Sequence, residues 1–497
     1  MSERAAVIGG GLGGLSAAAL LASKGFDVTL FEKNSYTGGK AAVIQGSGYT
    51  FDAGPSLLTM PFILHNLFSS CGRRSEEYIT LRKLEVICRY FYPDGTCIDA
   101  FADRERFKRE VQNKTGEPGE HLENYLTYCE RIYNATADVF ILNDFRSLKL
   151  FLSGTGLKSL LRLPHIDPLR TVHRANASFF NDKRLVQLFD RYATYNGSSP
   201  YLAPATLNVI PHVEYTMGAY IPDGGIRRIP AVIEALAEDL GVKIQTGAEV
   251  EEIIVRQNKA AGLRVNGSEI FFDRIISNAD VNYTYENLLK NPAKKEAKRY
   301  RTMEPSGSGL VFYWGVEKEF PGLEIHNILF SGDYEEEFRQ LFALKKIPSD
   351  PTVYVYISSK YNVSDAPAGG SNLFVMINTP FDDGRIKAGD IELARNTILS
   401  KVSAMAGEDI RPFIRFEEVL TPRAIEERTN SKWGSIYGVS SNSRNAAFLR
   451  QANRSSGYRN LYFCGGSAHP GGGIPLVIQS GIIAAQKVIE DAEKEVI

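Results

Sequence analysis

Residues 5–32 read AAVIGGGLGGLSAAALLASKGFDVTLFE, and this stretch decides the fold. An apolar run with strand character, residues 5–8, leads into a glycine-rich turn at residues 9–14. The alanine- and leucine-rich stretch that follows predicts a helix, and residues 28–31 predict a second strand that closes on the acidic Glu32. The order strand, glycine turn, helix, strand and acid predicts a βαβ unit of a parallel α/β sheet.

The residue types of this unit suit a dinucleotide. Gly9 permits the tight turn, Gly11 lets the backbone approach a pyrophosphate, and Gly14 lets the helix pack closely on the strand. The helix N-terminus would offer unpaired N–H groups and the positive end of its dipole to the phosphates. Glu32 is placed to accept hydrogen bonds from an adenosine ribose, and its charge would repel the 2′-phosphate of NADP. A glycine-rich turn also occurs in ordinary α/β domains, but here the strands, the helix and the acid all fall in register.

A second glycine pair follows the acid, in the sequence Gly38-Gly39-Lys40. Nothing in a nicotinamide dehydrogenase requires a Gly-Gly-basic turn at this place, whereas many flavoproteins of the amine oxidase and desaturase type carry one. We therefore predict FAD as the cofactor. The segment from Tyr49 to Thr59 suggests a strand stopped by Gly54-Pro55, followed either by a loop that faces the flavin or by an ordinary turn.

The composition excludes several classes of function. The 497 residues suffice for two or three domains, and 57 basic against 58 acidic residues give no reason to expect nucleic acid as a partner. The five cysteines are scattered without a CxxC pair, which suits buried thiols in a reducing compartment. The seven histidines show no ligand spacing, so no metal is expected.

A membrane contact is predicted for one segment only. The glycine-rich motif begins too close to Met1 for a cleavable signal peptide, and no run of apolar residues is long enough to span a bilayer. We therefore expect a cytoplasmic protein. Residues 139–174 are basic and leucine-rich, as in helices that lie in a membrane interface. The alternative is a surface helix that packs on the core and has a basic outer face.

Two later blocks extend the pattern of the first one. Residues 229–272 predict a helix and then successive short strands, and they lead to Asn278-Ala279-Asp280. Residues 460–475 read NLYFCGGSAHPGGGIP and repeat the order of strand, glycine pair and helix start, with a helix predicted over 476–493. A second helix dipole can therefore point at the flavin or its diphosphate. His469 by itself is more often a packing residue than a catalyst.

With both ends in view, the chain resembles the bacterial carotenoid desaturases of the phytoene desaturase family. Beyond the stretch from Gly9 to Lys40, the matching segments are FDAGPS at residues 51–56, FDRYATYNG at 189–197, NAD at 278–280 and HPGGGIP at 469–475. The last of these is the most specific. Amine oxidases typically carry Ala-Gly-Glu, and plant-type desaturases Ala-Gly-Asp, where this chain has Gly465-Gly466-Ser467. The missing acid favours the bacterial branch.

The resemblance implies an α/β fold with a split, Rossmann-like FAD-binding domain and an inserted α+β domain for the substrate and the membrane. This is the architecture of amine oxidases and GDP-dissociation inhibitors. The FAD-binding domain is expected to comprise residues 1–70, 206–285 and 445–497. The substrate domain is expected to comprise residues 71–205, which include the membrane-associating part, and residues 286–444.

The resemblance also carries a set of FAD contacts onto this chain. Val250 is a plausible backbone contact to adenine, since it lies in the strand that follows Gly247. The full set is Gly9, Gly11, Leu12, Gly13, Gly14, Glu32, Lys33, Gly39, Lys40, Gly54, Pro55, Ser56, Leu57, Val250, Asn278, Gly465, Gly466, Ile474, Pro475, Leu476 and Val477. No catalytic acid or base can be named.

The implied reaction is the desaturation of a long polyene, in which hydride passes to flavin N5, a proton is lost and a C–C bond becomes C=C. The carotenoid would enter from the membrane, and a quinone or oxygen would reoxidise the flavin. The pattern is closest to the C-3,4 desaturases of 1′-hydroxylated or γ-carotene-type substrates, with a phytoene desaturase as the runner-up. Lys40, where many phytoene desaturases have Arg, is compatible with this reading.

Other functions remain open on the sequence. A carotenoid isomerase shares the fold and would use a reduced flavin without a net change in substrate mass. An amine oxidase would need an aromatic cage and a C-terminal acid. A flavin-free module that binds prenyl groups is disfavoured by the intact set of Gly9, Gly11, Gly14 and Glu32.

Overall fold

The structure of the chain is a computed structural model that describes residues 3–144, 166–290, 294–442 and 450–496. The interface helix predicted within residues 139–174 therefore falls, for its central part 145–165, outside the described residues. No helix in the four described ranges is long and apolar enough to cross a membrane.

The strands of the described residues are numbered in chain order. They are β1 Arg4–Ile8, β2 Asp27–Phe31, β3 Val43–Gly46, β4 Tyr49–Asp52, β5 Leu81–Lys83, β6 Val86–Phe91, β7 Cys97–Phe101, β8 Tyr220–Pro222, β9 Lys243–Gln245, β10 Val250–Arg256, β11 Lys259–Val265, β12 Ser268–Phe271, β13 Arg274–Ser277, β14 Ser308–Val316, β15 His326–Leu329, β16 Val353–Tyr356, β17 Ser371–Thr379, β18 Ile414–Leu420 and β19 Leu461–Phe463.

The α-helices are numbered in the same way, and short 3₁₀ and π turns join some of them. They are α1 Leu12–Ser23, α2 Pro61–Ser70, α3 Arg104–Thr115, α4 Gly119–Thr136, α5 Val172–Asn176, α6 Lys183–Asp190, α7 Val209–Tyr215, α8 Arg228–Asp239, α9 Val281–Tyr283, α10 Lys294–Thr302, α11 Tyr334–Phe338, α12 Ala388–Ala406, α13 Pro422–Thr429 and α14 Ile474–Val496.

The first sheet is built around the predicted βαβ unit. Its strands run parallel in the order β19-β13-β1-β2-β9, so that β1 lies at the centre. Residues 5–8 of β1 are all buried, which explains why the strand reads as a continuous apolar run. Helix α1 begins at Leu12 rather than at the predicted Leu15, because Gly13 and Gly14 already adopt the helical conformation.

The second sheet is larger and mostly antiparallel, in the order β18-β14-β17-β16-β15-β6-β7, with β6 and β15 parallel. A hairpin joins β6 to β7, and the Tyr92 N–H donates to the Thr96 carbonyl oxygen at 2.9 Å. Along β14 the side chains alternate between two cores, with Phe312 in the core under α12 and Val311 in the core on the opposite face.

The two sheets take their strands from different segments of the chain. The parallel sheet draws on residues 1–70, 206–285 and 445–497, and the second sheet draws on residues 71–205 and 286–444. This partition follows the segments expected from the sequence, although the domain bounds themselves stay a prediction. Helix α14 begins at Ile474, slightly before the predicted start, and packs against α1 behind the parallel sheet.

The crossing of α1 and α14 leaves no room for a side chain at Gly481. A Cβ at this position would stand 2.2 Å from the Gly13 carbonyl oxygen and 2.9 Å from the Ser16 Cβ. We expect Gly481→Ala to push the helices apart and to lower the free energy of unfolding by about 1–3 kcal/mol, measured by thermal and urea unfolding. The control is Gly389→Ala in α12, where a Cβ meets nothing within 4 Å. Equal stability of the two variants would show that the helices have spare room.

Candidate cofactor and substrate site

One long cavity lies between the two sheets. It holds about 1960 Å³ of atom-free space, part of which is open to solvent, and residues of both sheets line it. Part of its lining consists of glycine-rich turns and charged side chains, which we call the polar arm, and another part consists of apolar side chains, which we call the apolar arm. The cavity can therefore take a polar and an apolar molecule side by side.

The glycine turn after β1 closes the polar arm at the N-terminus of α1. Gly9 has a φ of +94°, which a side chain would strain, and the turn brings Gly11 and Leu12 to the cavity wall. A Cβ at Gly14 would stand 2.1 Å from the Gly9 carbonyl oxygen, so only glycine lets the helix start this close to the strand. The first N–H groups of a helix lack partners within it, and α1 starts with Leu12 at the cavity wall, as a diphosphate site requires.

Glu32 is held as an acceptor at the end of β2. It is buried, and its Oε2 accepts the Gly10 N–H at 2.7 Å. Its Oε1 accepts the Asn34 backbone N–H at 2.9 Å and the Asn34 side-chain Nδ2–H at 2.7 Å. A carboxylate has about four acceptor positions, so one on Oε2 remains for a hydroxyl in the cavity. This is the arrangement that a ribose needs.

Two lysines tie the polar arm to a segment from the second half of the chain. Lys33 Nζ donates to Asn430 Oδ1 at 2.6 Å. Lys40 Nζ donates to the carbonyl oxygens of Ser435 at 3.0 Å and Ile436 at 2.8 Å. The side chain of Lys40 lines the cavity and is exposed to its space. Desolvation by the surrounding protein lowers the pKa of Lys40 to about 8, and the negative charge of Asp280 opposes that shift.

A second glycine segment borders the other end of the polar arm. Gly465 has a φ of +94°, its N–H donates to Ser480 Oγ at 3.1 Å, and a Cβ there would stand 2.6 Å from Asn278 Oδ1. Helix α14 starts at Ile474, which lines the cavity together with Gly466. The N-termini of α1 and α14 therefore open into the same space, and the residues present fit FAD.

Most of the site residues expected from the sequence come together in this lining. They are Gly9, Gly11, Leu12, Glu32, Lys33, Gly39, Lys40, Gly54, Pro55, Val250, Asn278, Gly465, Gly466, Ile474 and Val477. The others lie outside it and are Gly13, Gly14, Ser56, Leu57, Pro475 and Leu476. Gly13 and Gly14 pack behind the turn, and Ser56 Oγ shares a 2.6 Å hydrogen bond with the Tyr354 hydroxyl.

His469 does not line the cavity. It is buried, and its Nε2–H donates to the Asn143 carbonyl oxygen at 2.9 Å, which agrees with the packing role predicted for it. Among the described residues, no group of three His, Cys, Asp or Glu side chains is placed to hold a metal ion.

The apolar arm was not predicted from the sequence. Its walls come from β14, β17, β18 and α13 and from the segment after α13, and its side chains are Val311, Phe374, Met376, Leu420, Ile425 and Ile436. These positions come from separate segments of the chain and share no motif. The only local signal is the alternation of side chains along each strand, which does not say which face lines a cavity. Tyr437, which also lines the cavity, was missed for the same reason.

Comparisons with known proteins find relatives over nearly the whole chain. Residues 12–489 match the family model of the flavin-containing amine oxidoreductases. The chain is 41% identical to a 1-hydroxycarotenoid 3,4-desaturase of Flavobacterium sp., over 98% of this chain and 99% of that one. It is 37% identical to a 4,4'-diapolycopene oxygenase of Methylomonas sp., over 99% of each.

Solved structures show the same fold at low sequence identity. A putrescine oxidase variant gives a TM-score of 0.66 at 14% identity, over 99% of each chain. The cyclohexylamine oxidase of Brevibacterium oxydans gives 0.62 at 14% identity, over 99% of this chain and 100% of that one. The predicted fold class and the predicted FAD cofactor are thereby confirmed.

The ribose contact of Glu32 can be tested by FAD binding. We expect Glu32→Ala to raise the Kd of the apoprotein for FAD by about ten- to a hundredfold, because a hydrogen bond to a charged acceptor is lost. Flavin fluorescence quenching measures the Kd. The matched control is Glu234→Ala, whose carboxylate accepts from the Thr37 hydroxyl outside the cavity lining. A wild-type Kd in Glu32→Ala would contradict the ribose contact.

Lys40 should make FAD binding depend on pH. Its pKa is about 8 without ligand, and an anionic diphosphate nearby would raise it, so the complex holds its proton more tightly than the free protein. The affinity for FAD is therefore constant at pH values below the pKa of Lys40 in the ligand-free protein, and it falls by up to about tenfold per pH unit above pH 8. In Lys40→Arg the charge persists at every pH used, and the slope should vanish. The same slope in both proteins would place the titrating group elsewhere.

Proposed function

The chain belongs to the flavin-containing amine oxidoreductases and is an FAD-dependent oxidoreductase, and from this premise we propose that it is a carotenoid desaturase. Its relatives at 35–41% identity carry the names of enzymes that act on carotenoids. The 41% identity to a 1-hydroxycarotenoid 3,4-desaturase, over nearly the whole of both chains, supports C-3,4 desaturation of a 1-hydroxylated or γ-carotene-type carotenoid.

The observation that carries the proposal is the joining of the two arms in one cavity. A dinucleotide in the polar arm would be bounded by the N-termini of α1 and α14, and side chains of β14 and β17 line the apolar part of the same cavity. A side-chain wall of this kind binds a hydrocarbon by burying it from water, at about 25 cal/mol per Å² of apolar surface. A polyene buries apolar surface against this wall along its whole length. A small charged amine would leave its ammonium group there without a hydrogen-bond partner.

Each group of residues then has a distinct task. FAD, when bound, supplies the acceptor of the hydride. Glu32, Lys40 and the helix N-termini hold its polar half. The apolar arm, with Phe374 and Met376, orients the polyene and keeps water away from the reacting bond. The described residues of this arm offer no histidine or carboxylate as a base.

The delivery of the substrate and the removal of the electrons are part of the proposal. We place the protein in the cytoplasm, at the face of the inner membrane, with the carotenoid drawn from the bilayer and a quinone or oxygen as electron acceptor. The support for the membrane is the basic, leucine-rich sequence of residues 139–174. The described start of this segment is bound to helix α14, because Gln479 Nε2–H donates to the Leu142 carbonyl oxygen at 2.8 Å.

An oxygenase is the second candidate. The relatives at 35% and 37% identity are named 4,4'-diaponeurosporene oxygenase and 4,4'-diapolycopene oxygenase, and they match nearly the full chain. The same cavity could bind the end of a carotenoid for either reaction. The two reactions differ in the mass of the product, because a desaturase removes two hydrogen atoms and an oxygenase adds oxygen.

The test is the mass of the product from FAD-loaded protein in liposomes. We expect 1′-hydroxy-γ-carotene to lose two hydrogen atoms and phytoene to stay unchanged, with absorption shifting to longer wavelength as conjugation grows. The negative control is protein without FAD. Stepwise losses from phytoene would make the protein an early desaturase, and a gain of oxygen would make it an oxygenase. An isomer shift without mass change, only after prior flavin reduction, would make it an isomerase.

A further inference from the structure

We propose that the hydroxyl of Tyr437 binds the oxygen of the carotenoid end group and selects hydroxylated over unhydroxylated substrates. This inference rests on the proposed function, and it goes further by naming the residue that reads the substrate's oxygen.

Tyr437 lines the cavity between Ile436 of the apolar arm and Gly472 of the second glycine segment, and its position is fixed. Its ring lies between Gly472 and Gly197. A Cβ added at Gly472 would stand 2.6 Å from Cδ1 of the tyrosine ring, and a Cβ added at Gly197 would stand 3.1 Å from Cδ2. Its backbone is fastened on both sides, because its N–H donates to Ser306 Oγ at 3.0 Å and its carbonyl oxygen accepts from Arg450 Nη1 at 2.9 Å. A ring held in this slot presents its hydroxyl in one direction.

The hydroxyl of Tyr437 has no hydrogen-bond partner in the part of the chain that the structure describes, and the residue lines the cavity. Two tyrosines that lie outside the cavity lining, Tyr313 and Tyr356, are satisfied by the protein. The Tyr313 hydroxyl donates to the Ala53 carbonyl oxygen at 2.5 Å, and the Tyr356 hydroxyl donates to Asp52 Oδ2 at 3.0 Å. The surrounding protein raises the pKa of Tyr437 to about 12, so the phenol stays protonated and can donate. It is therefore a donor that awaits an acceptor within the cavity.

The chemistry of the substrate requires a donor at this place. In a 1-hydroxylated end group only two bonds separate the carbinol carbon from C-3. When the C-3,4 bond is positioned for reaction, the hydroxyl therefore lies next to it, within the same compartment. Ile436 precedes Tyr437 in the lining and Gly472 packs against its ring, and neither side chain offers a hydrogen bond. A hydroxyl buried there without a partner would bind poorly, and the phenol removes that penalty.

The same geometry explains selection against the unhydroxylated compound. A site that holds a polar group for a substrate hydroxyl disfavours the analogue that lacks it, because the site's own donor is then left unpaired. The hydroxyl of Tyr437 can select between the two compounds without contacting the apolar arm, because that arm binds the polyene of both compounds alike.

The test is Tyr437→Phe, which removes one oxygen and keeps the ring in its slot. We expect kcat/KM for 1′-hydroxy-γ-carotene to fall about ten- to a hundredfold and that for γ-carotene to stay level or rise. The matched control is Tyr78→Phe, which removes a surface hydroxyl bonded to Asp239 and should leave the ratio of the two substrates as in the wild type. An equal fall for both substrates would overturn the proposal.

A binding measurement separates this proposal from the proposed function. Reduced, anaerobic enzyme cannot accept hydride, so the Kd of each carotenoid can be measured by absorption without turnover. Tighter binding of the hydroxylated compound, lost in Tyr437→Phe, supports the role of Tyr437 even if the oxidised enzyme desaturates neither compound. A shift of the flavin reduction potential or of the Kd for FAD in Tyr437→Phe, with the substrate ratio kept, would assign the hydroxyl to the cofactor and refute the proposal.

Discussion

The site depends on one amide, the side chain of Asn278, at which three remote parts of the chain meet. Its Nδ2–H donates to the Gly9 carbonyl oxygen at 3.1 Å, and its Oδ1 fills the space that side chains would need at Gly13 and Gly465, where a Cβ would stand 2.7 Å and 2.6 Å away. Glycine at these positions is therefore a condition for β1, β13 and β19 to bring their carboxyl ends to one point. Ligands of parallel sheets bind at such a point, and both helix N-termini reach it only because this contact is so close.

The parts of the structure that could be predicted from the sequence are those that depend on local features, and contacts between distant residues could not be predicted. The unit from Ala5 to Glu32 was predictable because each of its features is local, namely a buried strand, a turn that needs glycine and a helix of good helix formers. The strand and helix around Gly465 followed for the same reason. Which strand pairs with which is decided by contacts between distant residues, as with the parallel pair β6 and β15, and no local pattern encodes it. The apolar arm and Tyr437 belong to this second class.

The motif at residues 189–197 shows how a conspicuous sequence can have a role that only the fold reveals. Its Arg191 is buried, and Nη2 lies 3.1 Å from Oε1 of the buried Glu214. Glu214 also accepts from the hydroxyls of Tyr192 at 2.6 Å and Tyr195 at 2.8 Å. A buried ion pair is tolerable when further hydrogen bonds satisfy both partners, as they do here. The motif thus stiffens the core beneath the second sheet, and its charges do not enter the cavity lining.

The two arms of the cavity are not independent, because Lys40 binds the chain next to Tyr437. Its ammonium group donates to the carbonyl oxygens of Ser435 and Ile436, the two residues before that tyrosine. A diphosphate in the polar arm attracts the same ammonium group, and a lysine has three N–H donors to share between the carbonyls and an anion. Cofactor binding at Lys40 would therefore act on the segment that carries Tyr437 through a single side chain. The residue proposed to bind the hydroxyl of the substrate therefore follows a segment held by the residue proposed to bind the diphosphate, and a loss of charge at Lys40 would loosen both contacts together.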